Sequence, residues 1–515
     1  MNPPSNLPAP SSRDQRRVLS YLLPSLADTL FIALFVALCY GTPRLQLLSD
    51  AGIGWHIRAG EWMLQHHAVP HADLFSNVPS RPWFAWEWLF DVVIAWIHGL
   101  GGLNGVLAFS AFLMAICFAL LLRWTLRRGA PLMTTLVFVA LAVVASTVHA
   151  LARPHLVTWL FTLVCWYLLE EKRRIWFIPP MVLVWANVHG GFLVAFALMG
   201  LSLVGGLCNT LMSPRSDRAE LAKGFWRLGA VMATSFAASL VNPYGLGLYR
   251  HIYEYLGDPF IRQHNLEMQP LDLHSIGAKA FALLLLLAGL VTVTRYRQLR
   301  IAEALVLVFF VASALFSVRN VPLAAIVVTL TVAPLLREGR EGTDALGGNR
   351  VGWLREFSQR MEAMESRARG HVWAIVFVVL TIVVCGNGGF LWGHPVIQAG
   401  FNPERFPLRA VEFLSQHPVK GPLFTNDAWG GYVIYREWPS LQVVIDDRHD
   451  MYGSNYMRDY LKIVHGEKDW EERLNATGAH AVLMAKDGTL ARLLRGSSAW
   501  RMVYEDDQAT VFARQ

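Results

Sequence analysis

From residue 24 to about 395 the chain repeats one pattern: a long apolar run, then a short polar connector. A helix needs about 20 mostly apolar residues to cross the hydrocarbon core of a bilayer. Runs of that kind centre on 24–42, 92–122, 132–150, 154–170, 175–188, 191–212, 225–242, 278–294, 301–317, 321–336 and 371–392. They predict about eleven transmembrane helices. The run 175–188 is short and Pro179-Pro180 interrupts it, so a kinked or half helix is expected there. Beyond residue 400 the rhythm changes to short alternating signals. Residues 422–425, 442–446, 481–485, 501–504 and 510–513 read as strands, and 407–416, 453–465, 468–476 and 488–495 as helices. The expected fold is a polytopic α-helical membrane protein with a C-terminal α/β soluble domain.

The connectors alternate in charge. One set is basic: Arg13-Arg16-Arg17, Arg123-Arg127-Arg128, Lys172-Arg173-Arg174, Arg215 to Arg227, Arg295-Arg297-Arg300, and Arg337 through Arg369. The other set is less basic: 43–91, the His149–His155 turn, the His189-Gly190-Gly191 turn, 243–277, the Arg319-Asn320 turn, and 393 onward. The positive-inside rule places the first set in the cytosol and the second outside. The organisation expected is a cytosolic tail over 1–23 and a transmembrane core over 24–336 with an outer loop at 43–91 that carries interfacial helices. A cytosolic linker over 337–370, a last span at 371–392 and an outer, periplasmic domain over 393–515 follow. The setting is an inner or plasma membrane, crossed many times.

The net charge of +7 does not point to nucleic acid, because the basic residues sit in loops between apolar runs and form no stripe among exposed aromatics. All five cysteines fall inside apolar runs, which leaves neither a disulfide framework nor a metal-type spacing.

The unusual polar residues gather on the outer set of connectors: Asp50, His56, Arg58, Glu61, Asp73, Glu87, His149, Arg153, His155, Asn187, His189, Asn242, Tyr244, Arg319 and Asn320. Ionisable groups at membrane depth usually face a polar cavity, so these residues are expected to line one; alternatively, each caps a helix end at the interface. Residues 53–66 have helical spacing, with Ile53, Ile57, Trp62, Met63 and Leu64 as an apolar face and Arg58–Glu61 three apart. Asp50 just before this helix suits either a catalytic carboxylate or an N-cap. Trp83, Trp86 and Trp88 around Glu87 suit a sugar ring, and equally an aromatic belt.

These residues carry a resemblance. An acid after the first span, an outer helix with His, Arg and Gly-Glu, Asp73-x-Phe75-Ser76, and Trp83-x-x-x-Glu87-Trp88 entering the second span resemble GT-C membrane glycosyltransferases. That superfamily includes protein O-mannosyltransferases, aminoarabinose transferases and oligosaccharyltransferase catalytic subunits. Ala152-Arg153-Pro154-His155, Trp185 through Phe192, Asn242-Pro243-Tyr244-Gly245 and Arg319-Asn320-Val321-Pro322 look like pieces of a bacterial branch. The resemblance implies a polyprenyl-phosphate-linked sugar donor, an outward-facing site and inverting transfer to a glycan, lipid or protein acceptor. It implies a catalytic base in the first outer loop at Asp50. The paired acid that often follows is absent, since Ala51 stands there, which leaves the second acid to Glu61, Asp73 or Glu87.

Transfer from such a donor needs a base for the acceptor hydroxyl and cations near the leaving phosphate. Candidates for the donor phosphate are His56, Arg58, Arg153, His155, His189 and Arg319; for the sugar or acceptor they are Trp83, Trp86, Asn187, Asn242, Tyr244 and Asn320. An arginine near a span's end also snorkels to the surface without binding anything. His189-Gly190-Gly191 reads as an unwound helix end beside a ligand or as a plain turn. No metal set is expected. The one cofactor with a foothold is a divalent cation at Asp446-Asp447, whose alternative partner is Arg448. Two rival readings use the same residues: a transporter or flippase for lipid-linked saccharides, and a non-catalytic assembly protein of the same fold.

Overall fold

The structure, a computed structural model, describes residues 22–42, 44–78, 82–214, 216, 218–337, 360–361, 365, 368 and 370–515. The arginines of the N-terminal tail, Arg215 and most of the 337–370 linker, including the helical repeats read over 353–368, lie outside the described residues.

Each of the eleven apolar runs is occupied by helix. Among the described residues, five helices are long and apolar enough to cross a membrane: Trp88–Arg127, Leu132–His149, Gly190–Met212, Ile276–Gln298 and Val318–Leu336. Leu26–Tyr40, Ile175–Val188, Ile301–Phe316 and Val372–Gly386 are apolar but shorter. The remaining two runs fall in His155–Glu171 and in Arg218–Ser239, whose first turns carry Arg218, Glu220, Lys223 and Arg227. Length matters because a helix rises about 1.5 Å per residue against a hydrocarbon core of about 30 Å. Trp88–Arg127 runs longer than the expected 92–122 and kinks at Gly102, whose φ is +56°.

At one end of the helices the basic connectors are knitted together. Arg128 donates to Glu170 (2.7 Å) and Glu303 (3.0 Å), and Arg300 to Glu303 (2.8 Å) and to Glu170. The less basic connectors meet at the opposite end, around a cavity.

The apolar interior divides in two. One core is built by the helices, and the other joins residues 48–94 to residues 401–512, with Ile57, Phe75, Trp83 and Phe90 packed among Phe424, Val433, Val443 and Tyr452. The helix Gly52–His66 therefore does not lie along a surface. It is wedged between Trp88–Arg127 and the helix Asp427–Glu437, with Ile53, Ile57 and Met63 buried and Leu64 exposed. Glycines let two of these helices nearly touch: a Cβ on Gly54 would lie 2.3 Å from the carbonyl oxygen of Gly431.

The C-terminal sheet has the strand order Leu423–Thr425, Ala481–Ala485, Ala509–Arg514, Trp500–Glu505, with the first pair parallel and the others antiparallel. The strand expected over 442–446 is absent as a ladder. Val443 makes single parallel bridges to Leu423 and to Ser76, because the first loop takes one edge of this segment. The helix Asp427–Glu437 was not anticipated, since Gly430-Gly431 argues against helix in a sequence read alone.

Candidate functional site

A cavity of about 270 Å³ lies where the two cores meet. Six connectors reach it. The first loop and the helix ends beside it supply Trp55, His56, Trp83, Trp86, Glu87 and Asp91. The turn between Leu132–Ser146 and His155–Glu171 supplies His149, Arg153 and His155, and the next turn supplies His189, Gly190 and Gly191. Tyr255 and Glu267 come from the 243–277 segment, Arg319 and Asn320 from the turn before Val321–Val332, and Asp447, Arg448 and Asp450 from the C-terminal region.

Glu87 stands between two imidazoles. Its Oε1 is 3.6 Å from His189 Nε2 and its Oε2 is 3.8 Å from His56 Nε2. Burial pushes the Glu87 carboxyl up to about 8; the charge on Arg153 pulls against this, and Asp450, Glu267 and Asp447 add to it. On its far side His56 meets Asp91, with Nδ1 2.5 Å from Oδ1, and burial holds His56 well below the ordinary histidine range. The Gly190-Gly191 pair is needed for packing: a Cβ on Gly190 would lie 2.6 Å from the Trp86 ring, and one on Gly191 2.5 Å from Thr158 Oγ1. The glycines thus admit the site's own side chains.

Arg153 is surrounded by acids. It donates to Asp50 (2.7 Å), Glu267 (3.2 Å) and Asp447. Burial works against its charge and the carboxylates more than offset that. Asp447 also accepts from Trp55 Nε1 at 2.9 Å, and burial raises its carboxyl to about 7 despite Arg153. Its neighbour Asp446 turns the other way and is bound by Arg448 at 2.8 and 2.6 Å. The two adjacent acids therefore do not share a ligand, and among the described residues no three His, Cys, Asp or Glu side chains are grouped as metal ligands. Arg319 lines the same cavity, and among the described residues no carboxylate lies within ion-pair reach of it.

The residues singled out from sequence separate into two groups. His56, Trp83, Trp86, Glu87, His149, Arg153, His155, His189, Arg319 and Asn320 line the cavity. The others are engaged elsewhere. Asp50 is not a lining residue; its Oδ1 accepts from Gly52 N and Arg153 Nε, both at 2.7 Å. Arg58 and Glu61 form the expected pair at 2.7 Å, with Arg58 also donating to the Tyr435 carbonyl and Glu61 facing His98. Asn187 accepts from Trp88 Nε1 and donates to the Leu183 and Val241 carbonyls, each at 2.8 Å, which uses its amide fully in tying helices together. Asn242 accepts from Tyr244 N within its turn, and the Tyr244 hydroxyl accepts from Ala85 N at 2.8 Å, bracing the loop that carries Trp86 and Glu87. Asp91, Tyr255, Glu267, Asp447 and Asp450 were not assigned to the site from sequence. Of these only Asp447 carried a signal, having been flagged with Asp446 as a candidate cation site. No protein-family model and no curated protein matches the chain.

Proposed function

We propose that the protein is a multi-pass membrane glycosyltransferase of GT-C type, moving a sugar from a polyprenyl-phosphate donor to an acceptor hydroxyl at this cavity on the outer face of the membrane. The reading rests most on one observation: a carboxyl tuned by burial, Glu87, shares a tryptophan-lined cavity with an arginine, Arg319, that makes no direct ion pair among the described residues, although its charge reaches Glu267. The remaining connectors follow the eleven-span, N-terminus-in arrangement, with residues 393–515 as the outer domain that closes the site.

The chemistry divides between the two groups. Glu87 takes the proton of the acceptor hydroxyl as its oxygen bonds to the anomeric carbon. The bond from that carbon to the phosphate oxygen breaks, and the phosphate keeps the electron pair facing Arg319. Attack opposite the leaving group inverts the anomeric centre. Trp86, half-buried, offers a face to the sugar, whereas Trp83 is buried with the Arg448 guanidinium against its ring and serves the wall. Arg153, already shared by three carboxylates, orients Asp50, Glu267 and Asp447 and does not bind the phosphate.

The test is transfer from a panel of radiolabelled polyprenyl-phosphate sugars to lipid, glycan and protein fractions. Glu87→Gln is expected to lose about 100-fold or more in kcat, with Asp50→Asn less affected. The wild-type rate should rise with pH towards about 8, because Glu87 must lose its proton to act as base. A dead Asp50→Asn beside an active Glu87→Gln would return the base to Asp50. No transfer by folded wild type from any donor would favour the transport or assembly readings.

A further inference from the structure

At the end of the helices where the basic connectors gather, a second cavity of about 380 Å³ opens between Leu26–Tyr40, Trp88–Arg127 and Val372–Gly386. It shares no residue with the cavity around Glu87. Its polar groups, Asp28, Arg123 and His371, sit together at one end, and every other lining residue is apolar. We infer that this slot seats an acyl chain of an anionic glycerophospholipid from the surrounding bilayer, with the lipid phosphate on Arg123. The inference does not rest on the transfer reading.

The three helices are pinned at both ends of the slot and part between the pins. Towards the far end the Tyr40 and Thr381 hydroxyls bond at 2.9 Å, and Gly101 admits Cys385 so closely that a Cβ on the glycine would lie 3.1 Å from the Cys385 Cβ. At the basic end His371 Nδ1 meets Asp28 Oδ1 at 2.8 Å, and Arg123 Nη1 meets His371 Nε2 at 3.3 Å. Between the pins Ala119 and Ala374 put small side chains into walls otherwise built by Phe31, Phe112, Leu120 and Val378. On Trp88–Arg127 the lining positions 112, 116, 119, 120 and 123 form one stripe of a helix. From Phe112 to Arg123 that stripe rises about 16 Å. This is about half of a hydrocarbon core of about 30 Å, the depth of one leaflet. Ile375 and Val379 line the slot and are exposed, so its flank is open to lipid.

The polar end suits a phosphate. A guanidinium can only donate, so His371 Nε2 accepts from Arg123, and Nδ1 carries the ring hydrogen towards Asp28. The second Asp28 oxygen accepts from Ser25 N at 3.0 Å and from Ser25 Oγ at 2.6 Å. Glu365, also at this end, accepts from Leu26 N at 2.6 Å. The acids are thus engaged within the protein. Arg123 makes no direct ion pair among the described residues and gives one hydrogen bond to His371, which leaves donors for the bidentate contact that phosphate favours. Arg127, one turn further on, is exposed and adds positive charge at the same level. Basic pockets between membrane helices are a recurrent seat for anionic headgroups. Trp373, two residues from His371, is exposed and sends its Nε1–H to the Leu22 carbonyl at 2.8 Å, which marks the same level as headgroup depth. Below it, an unfilled apolar cavity costs stability in proportion to its volume, and a lipid chain removes that cost.

The test uses the full chain, delipidated in dodecyl maltoside, with dioleoylphosphatidylglycerol or dioleoylphosphatidylcholine added in mixed micelles. Phosphatidylglycerol should raise Tm more than phosphatidylcholine at equal mole fraction, and inorganic phosphate should not raise it. Arg123→Gln should weaken the apparent affinity for phosphatidylglycerol about 5-fold and leave the response to phosphatidylcholine unchanged. Ala374→Phe should fill the slot and lose the response to both lipids. A measurement on the wild type needs no variant: phosphatidylglycerol with a diazirine in its acyl chain should label residues 112–123 and 374–379 more heavily than the exposed apolar face of Ile276–Arg295. Equal stabilisation by the two lipids, stabilisation by inorganic phosphate alone, or labelling spread evenly over the apolar helices would overturn the inference. So would an Ala374→Phe protein that folds and keeps the wild-type response.

Discussion

Two arginines, Arg448 and Arg153, each stand among carboxylates on the same side of the molecule, and they do different work. Arg448 is sealed, its side chain 1% exposed, between Asp446 and Asp73 Oδ1 at 2.7 Å, with its guanidinium 4.7 Å from the Trp83 ring and 5.0 Å from that of Phe75. Arg153, 19% exposed, faces three acids across a cavity. In the sealed case packing fixes the partners, and the ion cluster clamps the first loop to the C-terminal region. In the cavity three acids, each partly exposed, share one arginine, so their protonation is free to adjust. Burial is what separates a structural cluster from a chemically responsive one.

The largest expected effect tests the sealed side. Arg448→Met leaves Asp73 and Asp446 buried without their cation, and should cost about 3–5 kcal/mol of stability. Thermal unfolding in detergent should show a much smaller drop for Arg153→Met, whose acids can be solvated or protonated. Equal losses would erase the contrast.

A second effect belongs to the cavity side. Glu87 and Asp447 keep their protons to higher pH when folded than an unfolded carboxyl does, so the folded state binds more protons between about pH 5 and 8 and stability falls as pH rises through that window. The slope approaches about 1.4 kcal/mol per pH unit for each such group. Glu87→Gln should flatten its share. Asp73 and Glu267, held below the usual carboxylate range against the pull of burial, contribute stability at neutral pH that is lost only in acid. An unchanged slope in Glu87→Gln, measured by unfolding across that pH window, would show that its carboxyl is not the one responding.

The smallest effect sharpens the same division. Gly190→Ala pushes Trp86, but Trp86 has cavity to move into, so the cost should be about 1 kcal/mol, the low end for overpacking, and should appear mainly as a raised KM. A loss of about 3 kcal/mol would mean that the cavity wall is packed as tightly as the surroundings of Arg448.

Much of this was legible along the chain, because long apolar helices announce themselves by composition. All eleven apolar runs contain helix, and the less basic connectors converge on the cavity. Arg58–Glu61 was readable because helical spacing is local. The site was legible by connector and less so by residue. Asp50, Asn187 and Tyr244 looked as functional as Glu87, since a polar residue at a helix end has the same appearance whether it braces a loop or faces a substrate. Asp91 closes the outer loop immediately before an apolar run and belongs to no motif, and Glu267 lies in a segment without one.

The sequence alone determined that the chain is built from apolar helices, that its connectors fall into two sets, and that the C-terminal stretch alternates strand and helix. Those properties depend on spacing of a few residues and on transfer free energy, both of which can be read locally. Only the tertiary structure decided that the first loop shares its core with the C-terminal region, that Asp446 and Asp447 face opposite ways, and that Glu87 stands between His56 and His189. Those depend on which distant groups are brought within about 4 Å and shielded from water, and both Coulomb energy and proton affinity turn on that distance and that shielding.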